Sequence, residues 1–292
     1  MRVLLTGGAG FIGSHIAELL LERGHEVAVV DDLSSGHREN IPENAAFHEC
    51  DIRSGCEEAF RVFQPEALCH QAAQIDVRRS IREPDFDAGV NVIGTVRLLQ
   101  NCVEHGVGRV VIASSGGAIY GEQEEFPAME DHPQYPISPY GVSKLAGERY
   151  LHFYAVQYGL SYAALRYANV YGPRQDPHGE AGVVAVFSSN LAANRASKIN
   201  GAGAQTRDYV YVADVARANV LALENTQSNG LPNGAYNIGT AVETSVNELY
   251  GRMRRLAGKD LPPEHANAKP GEQLRSCVDP SRAASLLGWR PG

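Results

Sequence analysis

The stretch Thr6-Gly7-Gly8-Ala9-Gly10-Phe11-Ile12-Gly13 follows a short apolar strand pattern and opens an apolar-periodic helix pattern. It satisfies G-x-G-x-x-G and also G-x-x-G-x-x-G. A tight turn needs residues that tolerate positive φ, and a pyrophosphate must approach bare backbone at a positive helix N-terminus. The stretch therefore predicts a dinucleotide-binding turn. The residues expected to contact the cofactor there are Gly7, Gly10, Phe11, Ile12 and Gly13.

Acidic residues at the ends of the next two strands specify the dinucleotide. Asp31 and Asp32 lie about 20 residues beyond the turn, where a carboxylate accepts the adenosine ribose hydroxyls and repels a 2′-phosphate. This favours NAD over NADP, although two solvated aspartates opening a loop would give the same pattern. Asp51 and Ile52, after a third strand, are predicted to contact the adenine.

The rest of the first 170 residues predicts the fold. Short apolar runs alternate with helical patterns, which is typical of a parallel sheet covered by helices. We predict strands at Val3–Leu5, Glu26–Val30, Phe47–Cys50, Ala67–His70, Arg109–Ala113 and Ser161–Arg166. We predict helices at Ile12–Glu22, Phe86–Glu104 and Pro139–Tyr158. The fold class is therefore α/β, a Rossmann-type doubly wound parallel sheet.

Beyond residue 170, proline and glycine become frequent and only short helices are predicted, at 213–224, 245–257 and 280–287. We divide the chain into an NAD-binding Rossmann domain, 1–170, and a smaller C-terminal substrate-binding lobe, 171–292. Some segments of the lobe are expected to return to the Rossmann sheet.

Composition excludes several classes of protein. The 292 residues carry a formal charge of −8, which disfavours nucleic-acid and anionic-membrane partners. No stretch approaches 18 uninterrupted apolar residues, and no signal peptide is evident. Five cysteines without a C-x-x-C pair predict free thiols and no metal site. These features predict a cytoplasmic protein.

Tyr140 and Lys144 stand four residues apart after Pro139, which suits a helix start. Residues at i and i+4 share a helix face. A tyrosine of reference pKa about 10 is a poor base at neutral pH. A positive charge about 5 Å away at an effective dielectric of 20 contributes roughly 3 kcal/mol, or about two pKa units. The pair therefore predicts a phenolate base, which hydride abstraction from an alcohol requires.

With these residues in hand, the chain resembles the extended short-chain dehydrogenase/reductases, and most of all the UDP-glucose (UDP-galactose) 4-epimerase family. The resemblance covers essentially the whole sequence. The matching stretches are Thr6–Gly13, His70–Ala73, Asn91 in N-V-I-G-T, Ser114–Gly121, Tyr140–Lys144, Leu165–Gln175, Gly179–Val184, Arg207–Val212 and Leu287–Pro291.

The resemblance implies an NAD-dependent isomerase that acts on a UDP-sugar and keeps its NAD bound. Tyr140 would take the proton of the sugar 4-hydroxyl, and hydride would leave carbon 4 for the nicotinamide. The 4-keto sugar would then swing and take hydride back on its opposite face. Lys144 would tune Tyr140 and hold the nicotinamide ribose. The remaining implied contacts are Gln71, Ala72 and Ala73 to the cofactor and Asn169, Val183 and Arg207 to the substrate.

The sequence departs from the family pattern before the tyrosine of Ala118-Ile119-Tyr120. Relatives carry a serine or threonine four residues before that tyrosine, but here Gly116 takes the position and Ser115 precedes it. We expect the Gly116-Gly117 pair to let the loop bulge, so that Ser115 acts as the hydroxyl and Gly116 lines the sugar site.

A second departure is Lys269-Pro270-Gly271-Glu272, where relatives show R-x-G-D. Arginine holds a diphosphate as a fork and lysine as a point charge, so Lys269 is expected to bind it more weakly. Glu272 would reach the uridine ribose. Ser276 matches a position where a bulky aromatic residue excludes N-acetylated sugars in some epimerases, so acetamido sugars are open as substrates.

Other activities of the same fold are weighed against epimerisation. A 4,6-dehydratase or a decarboxylase needs acidic groups where this chain has Gly117 and Ala118, which cannot move a proton. A simple NAD-dependent sugar-nucleotide reductase stays possible. A non-catalytic relative would have lost Tyr140 or Lys144.

The helix predicted at Phe86–Glu104 is apolar on more than one face, so it is either buried or shared with a partner subunit. By analogy with the family we expect a homodimer formed through this helix and the one at 139–158.

Overall fold

The computed structural model describes residues 1–178, 182–225, 231–268 and 273–292. Its strands are β1 (Arg2–Thr6), β2 (Glu26–Asp31), β3 (Ala46–Glu49), β4 (Ala67–His70), β5 (Arg109–Ser115), β6 (Ser161–Tyr167), β7 (Asn169–Tyr171), β8 (Lys198–Asn200), β9 (Thr206–Tyr211), β10 (Gly234–Ile238), β11 (Glu243–Ser245), β12 (Glu264–Ala266) and β13 (Arg275–Ser276). Its α-helices are α1 (Phe11–Glu22), α2 (Glu57–Phe63), α3 (Val77–Arg82), α4 (Pro84–Ala88), α5 (Thr95–Glu104), α6 (Pro139–Tyr158), α7 (Val183–Ala192), α8 (Val212–Asn225) and α9 (Val246–Leu256).

Seven parallel strands form the central sheet, in the order β10-β6-β5-β4-β1-β2-β3. The strand order reverses between β1 and β4, and ligands of doubly wound sheets bind beyond the carboxyl ends of the strands at such a point. The predicted fold class is therefore confirmed. β10 comes from the second half of the chain and pairs with β6, so part of that half belongs to the Rossmann sheet. The division at residue 170 stays a prediction.

Helices cover both faces of the sheet because its strands are apolar on both sides. In β1, Val3 and Leu5 point into a core with α1 and α8, whereas Leu4 points into the opposite core with α5 and α6. All three side chains are fully buried. This three-layer arrangement explains why the first strands appear in the sequence as continuous hydrophobic runs.

The predicted helix at Phe86–Glu104 is observed as α4, a π-helical segment Gly89–Gly94, and α5. The sequence patterns missed the helices α2, α3 and α7, and they missed the strands from β7 onward. Most of these strands have two or three residues, which is too short for a periodic pattern to appear.

The prediction of five free thiols is wrong. Cys50 and Cys56 form a disulfide, with their Cα atoms 6.0 Å apart. The 3₁₀ turn Ile52–Ser54 between them brings the two cysteines to a separation that suits a disulfide. Cys69, Cys102 and Cys277 are free and buried.

The described residues contain neither a membrane-spanning helix nor a cluster of metal ligands. No helix among them combines the length and the apolar character that crossing a bilayer requires. No group of three or more His, Cys, Asp or Glu side chains in the same ranges is arranged to hold a metal ion.

Candidate active site

The turn between β1 and α1 presents bare backbone. Gly7 adopts φ +71°, and a Cβ built there would lie 2.6 Å from the Ala72 nitrogen. A Cβ on Gly13 would lie 2.0 Å from the Gly7 oxygen, so glycine is required for helix and turn to touch. No side chain caps α1 at Gly10. The first-turn N–H groups of α1, from Phe11 onward, are thereby oriented to bind an anion.

Asp31 supports this turn from the end of β2. Its carboxylate accepts hydrogen bonds from the Ala9 nitrogen at 3.0 Å and the Leu33 nitrogen at 2.9 Å. Burial raises the pKa of Asp31, and the two hydrogen bonds oppose that shift. The neighbouring Asp32 accepts from the Ser34 hydroxyl at 2.6 Å. Asp31 therefore has a structural function beyond the ribose contact predicted for it.

Asp51 and Ile52 follow β3 as predicted, and both are engaged within the protein. A side-chain hydrogen bond from Arg53 is the main cause that lowers the pKa of Asp51. Ile52 is buried, and a Cβ on Gly94 would come within 2.9 Å of its side chain. The adenine contact of this segment stays a prediction.

His70, at the end of β4, is a structural residue. Burial lowers its pKa to about 3, so the ring is neutral. The Thr95 hydroxyl donates to the Asn91 carbonyl at 2.7 Å and must therefore accept from His70 Nε2, 3.0 Å away. His70 Nδ1 then accepts from the Thr6 hydroxyl at 2.7 Å. This chain of bonds ties the cofactor turn to the π-helical segment.

Gln71, Ala72 and Ala73 follow His70 and border the glycine turn. The Ala72 nitrogen donates to Thr6 Oγ1 at 3.2 Å. Gln71 donates to Asn219 Oδ1 at 3.0 Å and accepts from the Tyr167 hydroxyl. Asn219, fully buried in α8, was missed by sequence reasoning. An asparagine inside an apolar helical stripe was the available signal.

Tyr140 and Lys144 lie one turn apart at the start of α6. Ser138 caps this helix by accepting a hydrogen bond from the Gly141 nitrogen, and Pro139 occupies the first helical turn. The Lys144 Nζ lies 5.7 Å from the centre of the Tyr140 ring. It donates to the Ala113 carbonyl on β5 at 3.0 Å. The predicted pairing is thus observed, beside the carboxyl end of β5.

Burial dominates the ionisation of both groups. It raises the pKa of Tyr140 to about 12 and lowers the pKa of Lys144 to about 8. The expected fall in the Tyr140 pKa is therefore wrong for the protein alone, because the expectation counted the neighbouring charge and omitted the loss of solvent.

Ser115, the last residue of β5, hydrogen-bonds Tyr140, and this bond lowers the pKa of the phenol against the effect of burial. The Gly116 nitrogen donates to the Tyr167 carbonyl at 2.9 Å. A Cβ on Gly116 would lie 2.9 Å from a methyl of Val278, so a side chain there would displace Val278. Ser115 therefore supplies the hydroxyl beside Tyr140.

A second, four-stranded sheet of β7, β9, β11 and β13 carries three of the predicted substrate residues. Asn169 begins β7 and Arg207 lies in β9. Ser276 lies in β13, where it is in register with Arg207 of the adjacent β9. The Ser276 hydroxyl lies 3.8 Å from where a Cβ on Gly117 would be. This sheet thus reaches the loop that follows β5.

The predicted substrate residues that remain are Val183, Lys269 and Glu272. Val183 begins α7 and is half-buried against a small core of the second half of the chain, which includes Phe187 and Tyr250. Lys269 and Glu272 lie outside the described residues.

The chain is similar to known proteins over its whole length. The family model described as "NAD dependent epimerase/dehydratase family" matches residues 3–239. A UDP-glucose 4-epimerase of Mycolicibacterium smegmatis is 47% identical over 300 residues, covering 100% of this chain and 94% of that protein.

Three solved structures share the fold of this chain. The UDP-glucose 4-epimerase of Thermotoga maritima with UDP-glucose has a TM-score of 0.96 and 46% identity, covering 100% of this chain and 94% of that one. The Thermus thermophilus UDP-glucose 4-epimerase complex with NAD has a TM-score of 0.92 and 47% identity, with the same coverages. A UDP-N-acetylglucosamine 4-epimerase from Methanobrevibacter ruminantium in complex with UDP-N-acetylmuramic acid has a TM-score of 0.93 and 32% identity, covering 100% and 93%.

Proposed function

Because the chain belongs to the NAD dependent epimerase/dehydratase family, we propose that it interconverts UDP-sugars that are epimeric at carbon 4, using NAD. The observation that carries the proposal is the cluster of Tyr140, Ser115 and Lys144 at the end of β5. This cluster lies in a chain that is 46% identical to an epimerase structure with UDP-glucose.

The residues present fit a resident NAD. Gly7 and Gly13 leave backbone where a Cβ would collide, and α1 offers uncapped N–H groups to a pyrophosphate. Asp31 and Asp32 place carboxylates where a ribose is expected and a 2′-phosphate would be repelled. When bound, NAD supplies the hydride acceptor and donor for carbon 4.

The protein's own residues handle the proton. Tyr140 takes the proton of the sugar 4-hydroxyl and returns it when the epimer forms. Ser115 donates a hydrogen bond that stabilises the phenolate, and the Lys144 ammonium adds a positive charge beside the ring. Lys144 already binds Ala113, so its position is fixed before substrate arrives.

The second sheet is proposed to hold the nucleotide diphosphate. Arg207 suits the bidentate recognition of phosphate oxygens, and the exposed Asn169 on the neighbouring strand β7 offers a neutral donor. We retain Lys269 as a further phosphate contact, Glu272 as the ribose contact and Val183 as part of the site.

Gly117 and Ala118 remain the argument against dehydration, since neither can act as an acid or a base. The reductase alternative differs in its products. A reductase working in its oxidative direction would release the keto sugar and reduce one NAD to NADH for each sugar oxidised, whereas an epimerase restores its NAD in every cycle.

The experiment is to incubate the purified protein with UDP-galactose and, separately, UDP-N-acetylgalactosamine, without added NAD, and to resolve the products. Conversion to the gluco-isomer without accumulation of NADH supports the proposal. Once NAD is added, formation of one NADH per sugar oxidised favours the reductase working in its oxidative direction. No conversion of either sugar, even with NAD added, overturns the stated substrate.

Ser276 is proposed to set the size of the sugar that the enzyme accepts. Its small side chain is buried against the loop that follows β5, so Ser276→Tyr is expected to fill the space that an acetamido group needs. We expect the rate on UDP-N-acetylgalactosamine to fall at least tenfold relative to UDP-galactose, which corresponds to about 1.4 kcal/mol. Ser276→Ala is the control and should keep the wild-type ratio. If the Ser276→Tyr variant loses the same fraction of its rate on both UDP-sugars, Ser276 does not set the size of the accepted sugar.

A homodimer is part of the proposal, formed through α5 and α6. These helices pack side by side. Together with Ile93 of the preceding π-helical segment, they carry exposed apolar side chains, which we call the apolar stripe and which a second copy related by two-fold symmetry would bury. The stripe consists of Ile93, Val103, Val142, Tyr150, Phe153 and Val156.

Val156→Asp is expected to weaken this dimer. Val156 is 73% exposed in the single chain and would become buried in the dimer, where an aspartate would be an unpaired buried charge. Light scattering after size exclusion should show a shift to monomer at micromolar concentration. Leu256→Asp, at an 89% exposed leucine of α9 outside the stripe, should leave the mass unchanged. A monomeric wild type would contradict the proposal.

We also propose a cytoplasmic location, as the composition predicts. The Cys50–Cys56 disulfide counts against it, because disulfides are rare in reducing compartments.

A further inference from the structure

Asp87 is a buried carboxylate that the proposed proton transfers do not use. It is 0% exposed and lies in α4, just before the π-helical segment. Its Oδ2 accepts from the Ser143 hydroxyl at 2.6 Å. Its Oδ1 accepts from Gln74 Nε2 at 2.9 Å and from Asn91 Nδ2 at 3.0 Å. All three donors are neutral, so these hydrogen bonds bring no positive charge into direct contact with the buried carboxylate, which is a costly arrangement.

The bond to Ser143 connects this charge to the catalytic helix. Ser143 lies three residues after Tyr140 and directly before Lys144 in α6. Ser143 and Lys144 are both buried. The Asp87 carboxylate therefore lies against the first two turns of α6, and the groups between them are buried. Without water to screen them, charges act there over longer distances than in solvent.

The other side of Asp87 is tied to the cofactor turn. Asn91 bonds Asp87 through its amide and accepts from Thr95 through its carbonyl. Thr95 continues through His70 to Thr6, which precedes the glycine turn. The π-helical segment makes this chain possible, and such segments are frequent at functional sites.

We propose that Asp87 is a positioning residue and the counter-charge of the catalytic pair, keeping Lys144 an ammonium ion and anchoring the start of α6 through Ser143. This inference rests on the proposed function, because it assigns Asp87 a task in the same proton transfer. Asp87 touches neither reacting atom and acts through Ser143 and through its field.

The ionisation of the pair agrees with this role. Burial lowers the pKa of Lys144 to about 8, and the Asp87 charge opposes that shift. Burial raises the pKa of Tyr140, the Ser115 hydrogen bond lowers it, and the Asp87 charge raises it further. Removing the charge should therefore lower both pKa values together.

Other ionisable groups on the surrounding elements are neutral, paired or exposed. His70 is neutral, and Arg166 is held by Glu148 at 2.7 Å. Tyr167 has a pKa raised by burial and stays protonated. Asp76 is half-buried and its carboxylate accepts from the Arg79 nitrogen at 2.7 Å. Others include Arg79 in an ion pair with Glu83, Arg109 bonded to the Leu223 carbonyl, and the exposed Arg78, Arg82, Asp85, Arg97 and Glu104.

The test is Asp87→Asn, which keeps the size and removes the charge. The Ser143 hydroxyl can rotate and accept a hydrogen bond from the new amide. We expect both limbs of the kcat pH profile, measured on the NAD-containing protein, to move to lower pH by on the order of one unit. A structural defect alone would lower the rate without moving either limb.

A second readout does not depend on turnover. The ultraviolet difference spectrum that tracks phenolate formation isolates Tyr140 when Tyr140→Phe in each background is subtracted. Its titration should move down in Asp87→Asn. Ser143→Ala keeps the carboxylate but removes one donor that disperses its charge, so it should move the same titration upward.

The outcomes separate the two proposals. If neither UDP-sugar is converted, the proposed function fails, and the Tyr140 titration still decides the role of Asp87. If epimerisation is observed but the titration and both limbs stay in place in Asp87→Asn, Asp87 is structural and this inference is overturned. If Asp87→Asn fails to fold, the absence of an upward shift in Ser143→Ala overturns it instead.

Discussion

Tyr140→Phe is expected to reduce epimerase turnover by about a thousandfold, the usual scale for loss of a general acid–base group. The phenol is the group that the proposal uses to move the proton of the 4-hydroxyl. The ring packs at the start of α6, and phenylalanine preserves that packing. NAD content and thermal stability should therefore stay close to those of the wild type, as measured by cofactor release on denaturation and by circular dichroism.

Ser115→Ala is the matched comparison for this variant. It removes the hydrogen bond to Tyr140 but leaves the base in place, so its loss of turnover should be clearly smaller. Ser114→Ala is less suitable as a control, because the Ser114 hydroxyl bonds Glu148, which holds the buried Arg166. Near-full activity in Tyr140→Phe would falsify the proposed mechanism.

The sequence could predict that Tyr140 and Lys144 lie together because both residues lie on one helical turn. Tyr140 and Lys144 are neighbours by helix periodicity alone, and Gly7 to Gly13 form a single local turn. Features of this kind need no knowledge of tertiary contacts.

Other parts of the site depend on contacts that no local pattern records. Asp87 becomes important only because the π-helical segment and α6 bring it to Ser143, 56 residues away in the chain. Asn169, Arg207 and Ser276 could be named from the resemblance, but their common sheet could not, because strands of two to six residues carry little periodicity. The direction of the Tyr140 pKa shift was missed for the same reason, since burial is a tertiary property.

The glycine turn provides a graded test of cofactor binding. A Cβ on Gly13 would lie 2.0 Å from the Gly7 oxygen and 2.9 Å from the Gly8 Cα, both of them backbone atoms that cannot rotate away. Gly13→Ala must therefore push α1 away from β1 or distort the turn. Overpacking of this kind costs about 1–3 kcal/mol of folding free energy or more, and it also displaces the N–H groups meant for the pyrophosphate.

We expect Gly13→Ala to purify without NAD and to lose epimerase activity, with a lowered melting temperature. Gly10→Ala should show an intermediate loss, because its Cβ would meet the Gly7 oxygen at 3.3 Å and a small movement relieves that contact. Gly108→Ala is the control, since nothing lies within 4 Å of its Cβ position. In all three variants, bound NAD is measured as the absorbance of the nucleotide divided by the absorbance of the protein. Because the melting temperature reports packing and the absorbance ratio reports cofactor, a Gly13→Ala protein that is destabilised yet fully loaded with NAD would show that the turn packs the fold without binding the pyrophosphate.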